Sequence, residues 1–252
     1  MTKIELFFRR AFVLLILGGI IFFIFKLFLL LFPPEEIVID VYPELKEIAL
    51  TFDDGPHPEF TLKLLEILER NNIKATFFVV GKQIKKYPEF LREIHKRGHE
   101  IGNHTYNHPL LTHLESAGVL DELEAGKLEI KKETGLAVNI FRPPSGRYDE
   151  KVLETAEKNG FIPVLWSVSG SDYGATDPKV VSGNVVSSVK DGDIILLHSG
   201  IEATIKALPE IIRILKTRGF EFKTVTGILK PVRMQNRIYI YKSREPVAGD
   251  KR

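Results

Sequence analysis

Five polar clusters in this chain each stand just after a short apolar run: Asp53-Asp54, His104 with His108, Arg142, Asp172 and His198. A short apolar run that ends in charged residues reads as a buried strand whose C-terminal end opens into a site. In repeated β/α folds catalytic groups converge at that end. Two adjacent carboxylates, two histidines spaced i, i+4 and one late histidine are the parts of a metal hydrolase.

Each cluster has its own chemistry. Asp53 and Asp54 are consecutive, so on an extended backbone their side chains point to opposite sides and take different tasks. One can bind a metal while the other faces the reacting water, and Gly55-Pro56 then turns the chain away. His104 and His108 have the spacing that brings two imidazoles together on one helical turn. With an Asp from another strand end they make a His₂-carboxylate site, where a water takes the open position and its pKa falls toward about 7. Arg142 is held in the rigid frame of Pro143-Pro144-Ser145-Gly146. A buried Arg needs a carboxylate partner, and Asp53 is the candidate. His198 follows Ile194 to Leu197 and, with Asp172 to orient it, can act as a general acid near neutral pH. Taken singly, each cluster also has a plainer reading: an Asp-rich turn, loop histidines, a surface Arg, a core His.

These groups need elements to carry them. Strand-like runs are expected at 48–52, 75–80, 100–101, 138–141, 162–168, 194–197 and 220–225. Helical stripes alternate with them at 61–70, 87–96, 116–133, 149–158, 177–189 and 205–216. Gly98, Gly135 and Gly160 end helices, Asp149 starts one, and Pro178 stands at a first helical position. Gly118 and Gly126 weaken the third helix, and Pro209 implies a kink or a late start in the last. About seven strands alternating with about six helices imply a parallel sheet with right-handed crossovers, open or closed into a barrel.

The 252 residues hold one sizeable core, and a net charge of +2 excludes a general nucleic-acid-binding surface. The absence of cysteine removes disulfides and thiolate ligands, so any metal must use His and carboxylate. The 22 residues from Ala11 to Phe32 are apolar apart from Lys26 and a few small positions. As a helix they span about 33 Å, enough for a bilayer core of about 30 Å. Lys3, Arg9 and Arg10 precede this segment and Glu35, Glu36 and Asp40 follow it. That asymmetry places residues 1–10 in the cytoplasm and everything after Phe32 outside. The stretch is longer than a signal-peptide core and no A-x-A-like site follows it, so an uncleaved signal anchor is favoured over a cleaved signal peptide. Residues 33–47 read as a linker, 48–230 as the folded domain, and 231–252 as a basic tail with one short strand at 238–241.

Together the clusters resemble the polysaccharide deacetylase family, the NodB-homology domain of carbohydrate esterase family 4. The resemblance runs from Ile48 to about Leu229. The motifs occur in order as Thr51-Phe52-Asp53-Asp54-Gly55-Pro56, His104-Thr105-Tyr106-Asn107-His108, Arg142-Pro143-Pro144-Ser145-Gly146, Asp172-Tyr173 and Leu196-Leu197-His198. The resemblance implies a distorted (β/α)₇ barrel preceded by the transmembrane helix. It implies Asp53 as general base, and Asp54, His104 and His108 as ligands of one divalent metal, usually zinc, with cobalt or nickel as substitutes. It makes Arg142 the tether of Asp53, Asp172 the partner of His198, and His198 the general acid. The Ser145 N–H would help hold the oxyanion, with Leu196 and Tyr173 lining the acetyl pocket.

The implied reaction removes N-acetyl groups from an amino-sugar glycan: peptidoglycan, a chitin-like oligomer or poly-N-acetylglucosamine. O-deacetylation and a membrane-anchored glycan-binding protein are the other readings. Two departures bear on substrate choice. The family's fourth motif reads Asp-Trp with another Asp three positions earlier, where this chain has Ser169 and Asp172-Tyr173. Its fifth has Asp after the His, where this chain has Ser199. His57, beside the first motif, is either a substrate contact or a structural residue.

Overall fold

The computed structural model describes residues 46–228. The segment 11–32 expected to span a membrane, most of the linker and the strand expected at 238–241 lie outside those residues. Among the described residues no helix is long and apolar enough to cross a membrane.

The strands are β1 (Glu47–Gly55), β2 (Thr76–Val79), β3 (Glu100–Asn103), β4 (Ile140–Phe141), β5 (Ile162–Pro163), β6 (Val168–Ser169), β7 (Ile194–His198) and β8 (Glu221–Lys223). The helices are α1 (Thr61–Arg70), α2 (Gly81–Lys86), α3 (Pro88–Lys96), α4 (Ser116–Thr134), α5 (Glu150–Lys158), α6 (Pro178–Ser188), α7 (Glu202–Thr217) and α8 (Val225–Ile228). Every strand pair is parallel, in the order β5-β4-β3-β2-β1-β7-β6, with β8 also pairing the start of β1.

Chain connectivity forces this sheet to curl. Its two edge strands, β5 and β6, are joined by Val164 to Ser167 alone. The five steps from Pro163 to Val168 reach at most about 18 Å. A flat sheet with six spacings of about 4.8 Å would set those edges about 29 Å apart. The edges are not hydrogen-bonded to each other, so the curl stops short of closure between β5 and β6.

Alternation along β1 sorts the two faces. Ile48, Leu50 and Phe52 pack outward in the large core with Leu64, Leu65 and Leu68 of α1 and Leu208, Ile211 and Leu215 of α7. Ala49 packs inward with Phe78, Ile140, Val164 and Ile194, together with Val225 and Ile228 of α8. Thr51 and Asp53 therefore fall on the inner face, where the apolar filling ends.

Several elements differ from expectation, among them α2, where no helix was expected, and α8, which starts at the end of the strand expected over 220–225. The strand expected over 162–168 divides into β5 and β6 on opposite edges, because the chain must cross the gap there. The helix expected from 205 starts at Glu202 and runs through Pro209. Pro209 stands on the exposed face, while Ala203, Ala207, Leu208, Ile211, Ile212 and Leu215 stay buried. Gly126, read as weakening α4, marks a close approach: a Cβ there would stand 2.3 Å from Asn103 Oδ1.

His99 ties β2 to β3. It is buried, its Nδ1 accepts from the Ala75 N–H at 3.2 Å, and its ring meets Phe77 edge-on. Burial, with help from Lys74 and Arg97, pushes its pKa from 6.5 to about 4. The unfolded chain therefore takes up this proton first. The stability His99 contributes is complete above about pH 6.5 and is lost as pH falls toward 4. Urea unfolding should show the advantage of wild type over His99→Gln shrinking by about 2 kcal/mol between pH 7 and pH 5. Parallel pH profiles for the two proteins would assign the acid sensitivity to other groups.

Candidate active site

The ends of β1 and β7 bring the first groups together. Their register sets Asp53 directly beside His198 and Thr51 beside Leu196. Asp53 is 3% exposed and Arg142 is fully buried. Arg142 Nη1 donates to Asp53 Oδ1 at 2.7 Å and to Thr51 Oγ1 at 2.8 Å. Its Nε and Nη2 donate to the carbonyls of Val164 and Leu165, each at 3.1 Å. The guanidinium also lies over the Phe78 ring at 4.1 Å, with Trp166 at 5.6 Å. Such an arrangement suits a permanent charge out of water: planar, stacked, and bonded on each nitrogen.

The two aspartates do not point apart. Asp54 has φ +66°, a left-handed turn that breaks the strand's alternation. Both carboxylates then reach one imidazole edge, with His104 Nε2 3.4 Å from Asp54 Oδ1 and 3.8 Å from Asp53 Oδ2.

His104 and His108 do meet, but not on a helical turn. They lie in a loop after β3 in which Thr105 (φ +65°) and His108 (φ +64°) are left-handed. Such conformations cost about 1–3 kcal/mol each and persist where surrounding bonds over-determine them. Here Thr105 Oγ1 accepts from the His108 N–H at 3.0 Å. Glu122 Oε2 of α4 accepts from the N–H groups of Tyr106 and Asn107 at 3.0 and 2.7 Å.

Asp54, His104 and His108 form a group able to hold a metal ion. His104 Nδ1 stands 2.8 Å from the Arg142 carbonyl, which requires the proton on Nδ1 and leaves the Nε2 lone pair facing the cluster. The three candidate ligand atoms stand 3.2 Å (His104 Nε2 to His108 Nε2), 3.3 Å (His108 Nε2 to Asp54 Oδ1) and 3.4 Å (His104 Nε2 to Asp54 Oδ1) apart. With bonds of about 2.0–2.1 Å, the edges of a tetrahedron are about 3.3–3.4 Å. The donor set therefore fits a small divalent ion with one position left open. Burial raises the Asp54 carboxyl, but the hydrogen bond and charge of His104, with His198 and His108, outweigh it and hold it low. Burial, then His104, pushes the His108 imidazole down, toward the neutral form a ligand needs.

The last pair is His198 and Asp172. Asp172 is fully buried; its Oδ1 accepts from His198 Nδ1 and its Oδ2 from the His198 backbone N–H, both at 2.8 Å. Thr204 Oγ1 also donates to that carboxylate. Burial pushes the His198 imidazole down, but the hydrogen bond and charge of Asp172, then Asp53 and Asp54, carry it above its ordinary value. The Nδ1 bond leaves Nε2 as the atom able to donate outward.

Tyr173 is three-quarters exposed, its ring edge-on to His198 with centroids 5.4 Å apart. Leu196 is buried two residues before His198, on the same side of β7. Ser145 is exposed on the turn Pro144–Gly146 and left-handed at φ +58°. Trp166 presses on that turn, where a Cβ on Gly146 would stand 2.6 Å from its ring. His57 stacks on Phe60, and its ring is what a Cβ on Gly200 would meet at 3.2 Å.

Thr51, quoted only as part of the first motif, and Glu122, Trp166 and Thr204 belong to the site and received no role from the sequence reading. Thr51 had a signal, two residues before Asp53 on the same strand face. Glu122 and Thr204 lie on helices far along the chain, with no local pattern that marks them.

Known proteins resemble this chain in sequence and fold. A family model described as polysaccharide deacetylase matches residues 40–164. A peptidoglycan-N-acetylglucosamine deacetylase of Bacillus cereus is 36% identical over 203 residues, 79% of this chain and 95% of that protein. The crystal structure of the Bc1960 peptidoglycan N-acetylglucosamine deacetylase, bound to a naphthalenyl-N-oxidanyl-benzamide, superposes with a TM-score of 0.72. It is 35% identical and covers 74% of this chain and 89% of its own. Wild-type BA3943 from Bacillus anthracis, described as a CE4 family pseudoenzyme, also superposes at 0.72, with 31% identity over 75% of this chain and 67% of its own.

Removing Arg142 should strand a buried carboxylate. Arg142→Met is expected to lose about 3–5 kcal/mol in urea unfolding, the scale for breaking a buried pair. Adding Asp53→Asn should recover part of that loss, since the neutral amide has no charge to leave unpaired. Additive losses in the double variant would mean the two side chains are not coupled.

Proposed function

The chain belongs to the polysaccharide deacetylase family, and from that premise we propose that it hydrolyses the N-acetyl group of amino sugars in a cell-envelope glycan. The observation that carries this reading is the juxtaposition at one strand end of a buried, Arg-tethered carboxylate, a His₂-Asp ligand set and a carboxylate-oriented histidine. A related fold described as a pseudoenzyme means that architecture alone does not carry activity. Here the complete set of acid, base and ligands supports it. The relatives described as peptidoglycan deacetylases make peptidoglycan the first substrate to test.

Asp54, His104 and His108 would hold the divalent ion, with zinc the expected occupant. That ion would supply Lewis acidity toward a carbonyl and a lowered pKa for a nearby water. The other steps belong to the chain's own groups. Arg142 is bonded to Asp53 Oδ1, which leaves Oδ2 to take a proton from the attacking water. The Ser145 N–H would donate to the oxyanion that forms at the acetyl carbon, on a turn that carries two prolines and packs against Trp166. His198 Nε2 delivers a proton to the departing amine, and Asp172 steadies the imidazolium before transfer. The products are acetate and the free amino sugar. Leu196 and Tyr173 form the apolar side for the acetyl methyl.

Residues 11–32 would tether this domain to the membrane with the catalytic end outside, which would place it among envelope glycans.

Acetate release from N-acetylglucosamine oligomers and from peptidoglycan tests the reading. Wild type should release acetate, EDTA should stop it and zinc restore it. Asp53→Asn should lower kcat by about a hundredfold or more while still binding the ion. Activity that survives both EDTA and Asp53→Asn would sink the mechanism. The acid role of His198 has its own signature. The protonated form is the active one and Asp172 raises its pKa, so Asp172→Asn should move the alkaline limb of kcat to lower pH. An unmoved limb would remove His198 from proton transfer.

A further inference from the structure

We propose that Glu122 is a positioning residue for the metal centre: its carboxylate fills an anion-binding concavity in the His104–His108 loop and thereby sets where the His108 imidazole stands. The inference rests on the reading of Asp54, His104 and His108 as ligands.

The two histidines are held very differently. His104 is buried, and its Nδ1 is fixed by the Arg142 carbonyl at 2.8 Å. The side chain of His108 is 37% exposed, and among the described residues its Nδ1 has no protein partner. A ring without a bond to its far nitrogen depends on its backbone for its aim. That backbone is a turn with left-handed residues at 105 and 108, a shape that β-branched Thr105 does not favour.

Glu122 closes one side of the turn, opposite the Gly81 and Lys82 N–H groups that bond the Thr105 and Tyr106 carbonyls. Just after left-handed Thr105, the successive N–H groups of Tyr106 and Asn107 converge on one oxygen, Glu122 Oε2, at 3.0 and 2.7 Å. Successive N–H groups aimed at one point form a concavity suited to an anion. The second oxygen, Oε1, accepts from Asn107 Nδ2 at 2.6 Å. The helix that carries Glu122 is itself clamped to the loop's root. Leu123 O accepts from Asn103 Nδ2 at 2.8 Å, and Gly126 lets the helix come within reach of Asn103 and Thr105. α4 thus works as a jig, with Glu122 as its contact to the loop.

The test compares zinc affinity, by chelator competition on the full-length chain in detergent, with the melting temperature of the metal-free protein. Wild type, Glu122→Ala, Glu122→Gln and His108→Ala are measured side by side. Glu122→Ala should bind zinc about 10–100-fold more weakly, the usual cost of losing a group that orients a ligand. Glu122→Gln should stay much nearer wild type. Its amide oxygen can accept from both N–H groups, and Asn107 can turn its own amide to meet the new NH₂. Zinc affinity unchanged in Glu122→Ala, with wild type binding tightly and His108→Ala weakly, overturns the proposal and leaves the ligand assignment standing. If wild type itself binds no zinc, cobalt or nickel, the ligand assignment fails, and this proposal with it. If Glu122→Ala does not fold, Glu122→Gln decides: affinity close to wild type at an unchanged melting temperature supports positioning through the hydrogen bonds, and affinity as low as that of His108→Ala overturns it.

Discussion

Arg142 carries a permanent charge where there is no water to solvate it. Its burial is tolerable only if its nitrogens find acceptors, and these come from separated parts of the chain: Asp53 and Thr51 on the central strand, and the carbonyls of Val164 and Leu165 on the crossing between the sheet's two edges. One guanidinium therefore bridges the middle of the sheet and its opening. Its own carbonyl receives the Nδ1 proton of His104, so the residue that pins the candidate base also fixes the tautomer of a candidate ligand. Displacing it would disturb both at once.

Around that anchor the backbone is bent where ordinary strand geometry would fail. Asp54, Thr105, His108 and Ser145 all take positive φ without being glycine. Three of the four are themselves candidate site residues, and Thr105 bonds the backbone of the fourth loop position it governs. Concentrated strain of this kind is found where function requires a geometry the local sequence would not choose. Hydrogen bonds from α2 and α4 hold it in place: Gly81 and Lys82 donate their N–H groups to the carbonyls of Thr105 and Tyr106, while Glu122 accepts on the other side.

The departures from the family pattern sit beside this frame rather than in it. Ser199 is buried, donates its N–H to the Asp53 carbonyl at 2.8 Å, and lies where a Cβ on Gly55 would come within 2.9 Å of its Oγ. A small side chain is what that space admits. Ser169 Oγ accepts from the Ser171 N–H at 3.0 Å, shaping the loop that leads to Asp172. Tyr173, standing where the family has Trp, keeps an aromatic edge against His198. Each substitution leaves the candidate acid, base and ligand set intact.

By itself the sequence determined the alternation of strands and helices, the strand-end position of all five clusters and the family they resemble. Those features are local: apolar period, glycine and proline punctuation, and charged residues at the end of an apolar run are written in neighbouring positions. It also determined that Arg142 needed an acid and that Asp172 could orient His198, because a buried charge leaves few choices of partner. Only the tertiary structure decided that both aspartates meet one imidazole, that the two histidines join through a strained loop rather than a helical turn, and that Glu122, Thr204 and Trp166 support the site. A β-branched residue such as Thr105 is not favoured in the left-handed region by its own side chain, and it stands there because groups distant in sequence close hydrogen bonds around it.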